Sequence, residues 1–390
     1  MTSRAIPVLA AASLTQFTAG VGFWSFGLLA PELAEVTGLN VRDFGLSITF
    51  TFFGTFLSSP FTGAFARRFG GPGAVARFCA VMAGALMLVL SGTWIGMMGA
   101  AFLFGLGYGP QGPVGMTMVT QASDVRRRGL FLALRHSAVP LAAALSGRVL
   151  PPLMLMAGWQ TGVLSVAGLL GLAAIFALAF GGLFQIETAP PRNLSTLDRF
   201  RDLLRVPPDL RFLWSAGFVF AFTQTAVTTF SYIYLIEVAG LSAIAAGIFA
   251  SNLHATALIG RPLLGVLTDR IGNPTLVLSM IAFVTVGALA ALLNVGPGTP
   301  VLLLFPLAIA CGVSGQCWNS VFVTAMSFRV ASVDLAELNG RAFAFMSLGW
   351  MASPPLIWGL IEVTGGYAVP LGALAALNAI TAVVLLLRRG

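Results

Sequence analysis

Long apolar runs separated by short polar breaks fill this chain. A helix needs about 20 apolar residues to cross the hydrocarbon core of a bilayer. Twelve stretches qualify: residues 6–30, 43–66, 73–92, 95–120, 129–151, 160–184, 211–236, 241–267, 274–294, 300–325, 341–362 and 367–387. Most breaks carry turn signals, among them Thr37-Gly38-Leu39-Asn40, Gly70-Gly71-Pro72, Ala157-Gly158-Trp159, Gly272-Asn273-Pro274, Gly296-Pro297-Gly298 and Gly365-Gly366. The pattern predicts an all-α polytopic membrane protein with 12 transmembrane helices. One break, 185–210, is polar enough to be a true loop, with Arg192, Asp198, Arg199, Arg201, Asp202, Arg205 and Asp209. We read it as a linker carrying a short amphipathic helix at the membrane surface. The chain then divides into an N-terminal six-helix bundle (1–184), the linker (185–210) and a C-terminal six-helix bundle (211–390).

The two bundles echo each other. Glu35-Val36-Thr37-Gly38-Leu39 recurs 202 residues later as Glu237-Val238-Ala239-Gly240-Leu241, and Gly45 matches Gly247. At the same offset Ser59-Pro60-Phe61-Thr62-Gly63 matches Arg261-Pro262-Leu263-Leu264-Gly265, and Arg67-Arg68-Phe69-Gly70 matches Asp269-Arg270-Ile271-Gly272. Pro151-Pro152-Leu153 is echoed by Pro354-Pro355-Leu356. A duplicated six-helix unit is the mark of a transporter that rocks two pseudo-symmetric bundles about a central site.

Composition agrees with the pattern. The chain is 57% hydrophobic and only 9% charged, too little charge to cover a water-facing surface. The net charge of +8 does not point to nucleic acid, because all 21 basic residues are Arg, in short clusters between apolar runs. With the N-terminus placed in the cytoplasm, seventeen Arg fall on cytoplasmic segments or helix ends, including Arg67, Arg68, Arg126, Arg127, Arg128, Arg270, Arg329, Arg388 and Arg389, and only Arg42 falls in an outside loop. This orientation, with both termini cytoplasmic, and a location in the bacterial inner membrane are expected. The run after Arg4 lacks a small-residue cleavage site and reads as a retained helix. Cys79, Cys311 and Cys317 lie in apolar runs without metal spacing.

On these residues the chain resembles a porter of the major facilitator superfamily. The family's loop signature, Gly-x-x-x-Asp-Arg-x-Gly, stands complete at Gly265, Asp269, Arg270 and Gly272, and in the first half as Gly63, Arg67, Arg68 and Gly70. The resemblance implies the major facilitator fold and a conformational latch in which the Asp caps a neighbouring helix N-terminus. Arg67 stands where the family has Asp and cannot cap in that way. The run Gly260-Arg261-Pro262-x-x-Gly265 is further similar to monocarboxylate and oxalate/formate-type porters, in which an Arg at this place binds substrate carboxylate.

Charge placement narrows the chemistry. A charge within the bilayer costs about 2.5–3.5 kcal/mol on insertion scales and marks a candidate functional residue. All thirteen acids lie at helix ends or in loops, whereas Arg135, Arg148, Arg261, His136 and His254 lie within predicted helices. The expected ligand is therefore an anion, which a guanidinium can hold through two parallel hydrogen bonds. Arg261 is the first candidate, its alternative being a brace for the latch. His254, seven residues earlier on the same face, is either a proton carrier or a packed, hydrogen-bonded residue. Arg135 and His136 occupy positions where similar anion porters carry a Lys-Gln pair; the alternative for Arg135 is to snorkel towards Arg126, Arg127 and Arg128. The resemblance adds Trp24, Tyr108, Gln111, Gln224, Tyr232, Gln316, Trp318 and Asn319, on helices that line the family's cavity, each with a structural role as its alternative. The Gly-rich run 105–113 suits close helix packing rather than phosphate binding, since it follows no strand.

The leading expectation is a secondary transporter for a small organic anion, a mono- or dicarboxylate, working by alternating access with proton symport or anion exchange. Its partners are that substrate, a proton as candidate coupling ion, and the lipid bilayer. It is expected to act as a monomer without cofactor, metal or nucleic acid, and not as an enzyme. Nitrate is disfavoured, because the Gly-Asn-Gly-rich signature of nitrate porters is missing. Two alternatives stand beside it. A proton-coupled multidrug efflux pump for cationic drugs usually needs a membrane carboxylate, and its Gly-Pro-x-x-Gly-Gly motif reads here Ala138-Val139-Pro140-Leu141-Ala142-Ala143. A non-transporting membrane receptor would have only the 185–210 segment to signal with.

Overall fold

A computed structural model describes residues 5–39, 46–179, 181, 186–188 and 195–388. Arg4, Asn40, Arg42, Gly45, Arg192 and Arg389, named above, lie outside the described residues. The described chain is helical from end to end: α1 Ala5–Thr37, α2 Leu46–Ser58, α3 Thr62–Leu86, α4 Trp94–Ala122, α5 Arg128–His136, α6 Ala138–Ala157, α7 Trp159–Ala179, α8 Thr196–Leu204, α9 Arg211–Glu237, α10 Ala243–Ile271, α11 Pro274–Leu293, α12 Val301–Gln316, α13 Trp318–Ser327, α14 Leu335–Thr364 and α15 Ala368–Leu387.

Among the described residues nine segments are long and apolar enough to cross a membrane. One of them, Leu46–Ser91, has 46 residues, roughly 69 Å of helix at 1.5 Å per residue and about twice a hydrocarbon core. It holds two crossings. Two further helices, α4 and α10, have 29 residues each. Glycines and prolines dilute the apolar character of α4, and Asn252, His254 and Arg261 that of α10. With these the twelve expected crossings are accounted for.

The chain packs as two compact units, Met1–Val125 with Ala138–Arg205 and Val330–Ser347, and Arg126–Ser137 with Val206–Arg329 and Leu348–Gly390. In each unit a half-helix packs beside elements distant in sequence. In the first, Gly340 of α14 lies so close to α2 and α3 that a Cβ there would stand 2.5 Å from the Ser59 carbonyl oxygen and from Thr62. In the second, a Cβ on Gly265 of α10 would stand 2.8 Å from Ala133 of α5.

Backbone geometry carries the repeat. Gly70 and Gly272, 202 residues apart, have φ of 68° and 69°, a left-handed conformation that is cheap only for glycine. Gly272 closes α10, its N–H donating to the Thr268 carbonyl at 2.9 Å. Gly70 interrupts α3, and the chain turns from one crossing to the next.

Part of the linker is structured. Ser195 caps α8, its Oγ accepting from the Asp198 N–H at 3.1 Å. Phe200 packs on Phe56 and Phe61 in the first unit, and Arg341 of α14 donates to the Asp202 and Arg205 carbonyls at the end of α8.

Helix contact in the first unit rests on missing side chains. A Cβ on Gly105 of α4 would lie 2.1 Å from the Thr51 carbonyl oxygen of α2, and one on Gly54 would lie 2.2 Å from the Phe102 carbonyl oxygen. Gly105→Ala is therefore expected to force the α2–α4 contact apart and cost about 2 kcal/mol, seen as a lower midpoint when the detergent-solubilised protein is unfolded by heat. An unchanged midpoint would show that the contact can relax.

Candidate functional site

Arg261 is 3% exposed on α10. Two carbonyls hold it. Its Nε donates to the Gln316 carbonyl oxygen at 2.9 Å, and its Nη1 donates to the His136 carbonyl oxygen. Both acceptors end a helix: α5 stops at His136 and α12 at Gln316. Helix C-termini leave carbonyls without intrahelical partners and carry partial negative charge. At His136 the cause is local, because the amide that would pair with this carbonyl belongs to residue 140, a proline without N–H. The guanidinium thus satisfies two interrupted helices.

The break after His136 is capped as well. The Ser137 N–H and hydroxyl both donate to the Ala133 carbonyl, at 2.9 and 3.0 Å, and the hydroxyl reaches the Leu258 carbonyl of α10 at 3.5 Å. Arg135 is fully buried, at 0% exposure, and His136 is buried beside it. Within the described residues His136 Nε2 makes no hydrogen bond. His254 is half-buried, two turns from Arg261 along α10. Arg148, near the outer end of the fifth predicted crossing and read as interfacial, is exposed. The structure thus joins Arg261 to the His136 backbone, with Arg135 next in the chain.

A second group adjoins this cluster through Gln316. Gln224 of α9 donates from Nε2 to Gln316 Oε1 at 3.1 Å, and its Oε1 accepts from Trp350 Nε1 at 3.1 Å and from Asn319 Nδ2 at 3.5 Å. Trp318 is fully buried, stacked on Phe220 with centroids 5.5 Å apart and tilted against Trp350 at 6.3 Å. Tyr232 stands apart, packed against an apolar cluster built on Phe230, Tyr234 and Phe249.

In the first unit Trp24 and Tyr108 both flank Phe23, at centroid separations of 5.3 and 5.6 Å. Gln111 on α4 is 0% exposed, and neither side-chain atom has a hydrogen-bond partner within the described residues. A buried amide in that state is costly and suits a site that a polar ligand or water completes.

The two signature loops solve one problem in two ways. Asp269 accepts the Gly129 N–H on Oδ1 at 2.8 Å and the Leu130 N–H on Oδ2 at 2.9 Å, capping α5 from another helix. Asp269 lies beyond the predicted span; burial pushes its carboxyl up from the ordinary value, and the Leu130 and Gly129 amides and the Arg128 charge pull it down. At the equivalent place Arg67 makes no cap. It pairs instead with Glu337 in the first turn of α14, Nη1 to Oε2 at 2.9 Å, both side chains 12% exposed. A Cβ on Gly63 would lie 2.8 Å from Glu337 Cβ, as one on Gly265 would from Ala133. Arg68 and Arg270 are exposed.

Sequence reading missed Glu337 and Trp350. Glu337 is readable as an acid just before the eleventh predicted crossing, 341–362, but its pairing with residue 67 is not. Pro140, four residues after His136, was the one local sign that the His136 carbonyl needs an outside donor.

Removing the Glu337 charge takes the acid of this pair away from Arg67 in a largely buried place. Glu337→Gln is expected to cost roughly 3 kcal/mol, and the exchange R67E/E337R to recover most of it. Thermal unfolding of the four proteins measures both. A double exchange no better than the single variants would show that the pair does not act as a unit. At the other loop, Asp269→Asn keeps the shape but replaces one anionic acceptor with an amide NH2 that can only donate, and is expected to lose about 1–2 kcal/mol of capping in the same measurement.

Comparison with known proteins places the chain. A family model described as Major Facilitator Superfamily matches residues 12–336. An uncharacterized MFS-type transporter of Mycobacterium tuberculosis is 26% identical over 296 residues, a match covering 71% of this chain and 64% of that protein, so the chain spans less than two thirds of this relative. The probable nitrate/nitrite transporter NarK2 of the same organism is 27% identical over 374 residues, covering 91% of this chain and 90% of that one. The probable sulfoacetate transporter SauU of Cupriavidus necator is 23% identical over 413 residues, covering 96% and 92%. The crystal structure of the fucose:proton symporter FucP of E. coli superposes over the whole of both chains with a TM-score of 0.76 at 17% identity, which shows a shared fold. With the family match running over most of its length, this chain belongs to the Major Facilitator Superfamily.

Proposed function

We propose that this protein is a secondary transporter that moves a small organic anion, with a carboxylate or sulfonate head group, across the membrane by alternating access. One observation carries the reading: two buried arginines, Arg135 and Arg261, share the α5–α10 region with His136 and His254. Among the described residues every acid stands near a helix end, in a loop or in the linker helix. The region therefore favours an anion, and desolvated guanidinium–oxyanion contacts are strong.

The cycle follows from what holds Arg261. In the ligand-free state its guanidinium is occupied by the two helix-end carbonyls. An arriving oxyanion competes for the same N–H groups and offers them, and Arg135, a full negative charge where the carbonyls offer partial ones. Alternating access then requires α5 to part from α10, which breaks the Asp269 cap, and the start of α14 to part from α3, which breaks the Arg67–Glu337 pair. Release follows when water re-enters and restores the carbonyl contacts. Either a histidine or a second anion serves as the coupling partner.

The names of two relatives support an anion. One, SauU, is named for an organic sulfonate, in line with the head group proposed. The other, NarK2, is named for nitrate and nitrite, which makes a small inorganic oxyanion the second reading despite the missing nitrate signature.

The test is thermal stabilisation of the purified protein by formate, oxalate, sulfoacetate, nitrate and a cationic dye, with Arg261→Gln and Arg135→Gln in parallel. A ligand at ten times its Kd adds about 1.4 kcal/mol. Stabilisation of the wild type by oxalate or sulfoacetate, lost in both variants, is expected. Nitrate alone would install the second reading, and stabilisation by the dye alone, retained in both variants, would overturn the anion site.

A further inference from the structure

We propose that Trp350 is a positioning residue for anion selectivity, its indole N–H setting the direction of the Gln224–Gln316 amide chain so that N–H groups face a ligand beside Arg261. The inference rests on the anion reading above and concerns a residue that neither the repeat nor the charge pattern singles out.

An indole nitrogen only donates a hydrogen bond, whereas an amide can turn either end to a neighbour. Because Trp350 Nε1 lies 3.1 Å from the Gln224 amide, Gln224 must present its oxygen there. Its NH2 group is then directed to Gln316, whose oxygen accepts at 3.1 Å. Asn319 takes the second lone pair of the Gln224 oxygen, at 3.5 Å. The polarity runs one way, from Trp350 through Gln224 to Gln316. Both acceptor sites of Gln224 are filled, and the Gln316 NH2 group stays available to donate.

The same glutamine anchors the guanidinium, since the Gln316 carbonyl accepts from Arg261 Nε. The oriented amide and the arginine are therefore joined through one residue. Donors of both kinds beside each other suit an oxyanion and leave a neutral ligand's own N–H groups unmatched.

Trp350 is held for this task. A Cβ on Gly349 would lie 2.7 Å from the Phe218 carbonyl oxygen, so α14 meets α9 backbone to backbone and delivers Trp350 to Gln224. Its ring leans on Trp318, which stacks on Phe220. Trp350 is 7% exposed.

Trp350→Phe removes the donor and keeps most of the ring. The probes are formate, oxalate, sulfoacetate and nitrate, with formamide as the neutral counterpart of formate. Trp350→Phe is expected to weaken binding of the anion that stabilises the wild type by about tenfold, to leave formamide binding unchanged, and to shift the ligand-free midpoint little. Gln224→Met supplies the cross-check: in that background the tryptophan change is expected to add nothing, because no amide remains to orient. Equal loss for anion and formamide, or strictly additive effects of the two substitutions, would falsify the positioning role and leave Trp350 a packing residue. If no anion stabilises the wild type, the transport reading fails and this inference fails with it. If anions bind the wild type and Trp350→Phe equally well, this inference alone fails.

Discussion

A guanidinium serving two broken helices is the constraint on which the second unit depends. Backbone at membrane depth must satisfy its polar groups within the protein, because lipid offers no donors. The breaks at Ser137 and Cys317 create carbonyls with that need, and Arg261 answers both. This explains how two backbone carbonyls hold an arginine in an apolar setting. It also places a strong anion receptor where contacts are partial charges, which a full negative charge can outcompete.

The loops at the other end of these helices follow the same electrostatic rule with different residues. A helix N-terminus attracts a carboxylate. In the second unit Asp269 supplies it across the α10–α5 contact. In the first, the signature position carries Arg67, whose charge has the wrong sign for that task. Glu337, part of the first turn of α14, intervenes: its carboxylate sits near its own helix N-terminus and takes the arginine. The junction of the first unit thus has its arginine on the loop and its carboxylate on the facing helix. The glycines around both junctions are alike because both need backbone at contact distance, as the Cβ positions at Gly63 and Gly265 show.

What the sequence by itself determined is the periodic and local part. The number of crossings follows from apolar run length, since bilayer thickness sets how many residues a helix must use. The repeat was legible because turns with φ above zero need glycine, and Gly70 and Gly272 stand 202 residues apart for that reason. The burial of Arg135 and Arg261 was legible as charge within apolar runs. Tertiary structure alone decided the pairings. Arg67 with Glu337 bridges 270 residues, Arg261 with the His136 carbonyl 125, and Trp350 with Gln224 126. No periodicity along the chain encodes such partners, because they depend on which helix faces lie side by side. In the same way, α5 and the start of α14 pack with helices distant in sequence, which no local pattern encodes. Sequence sets what each helix needs, through its breaks, charges and glycines; only packing decides which distant side chain meets the need.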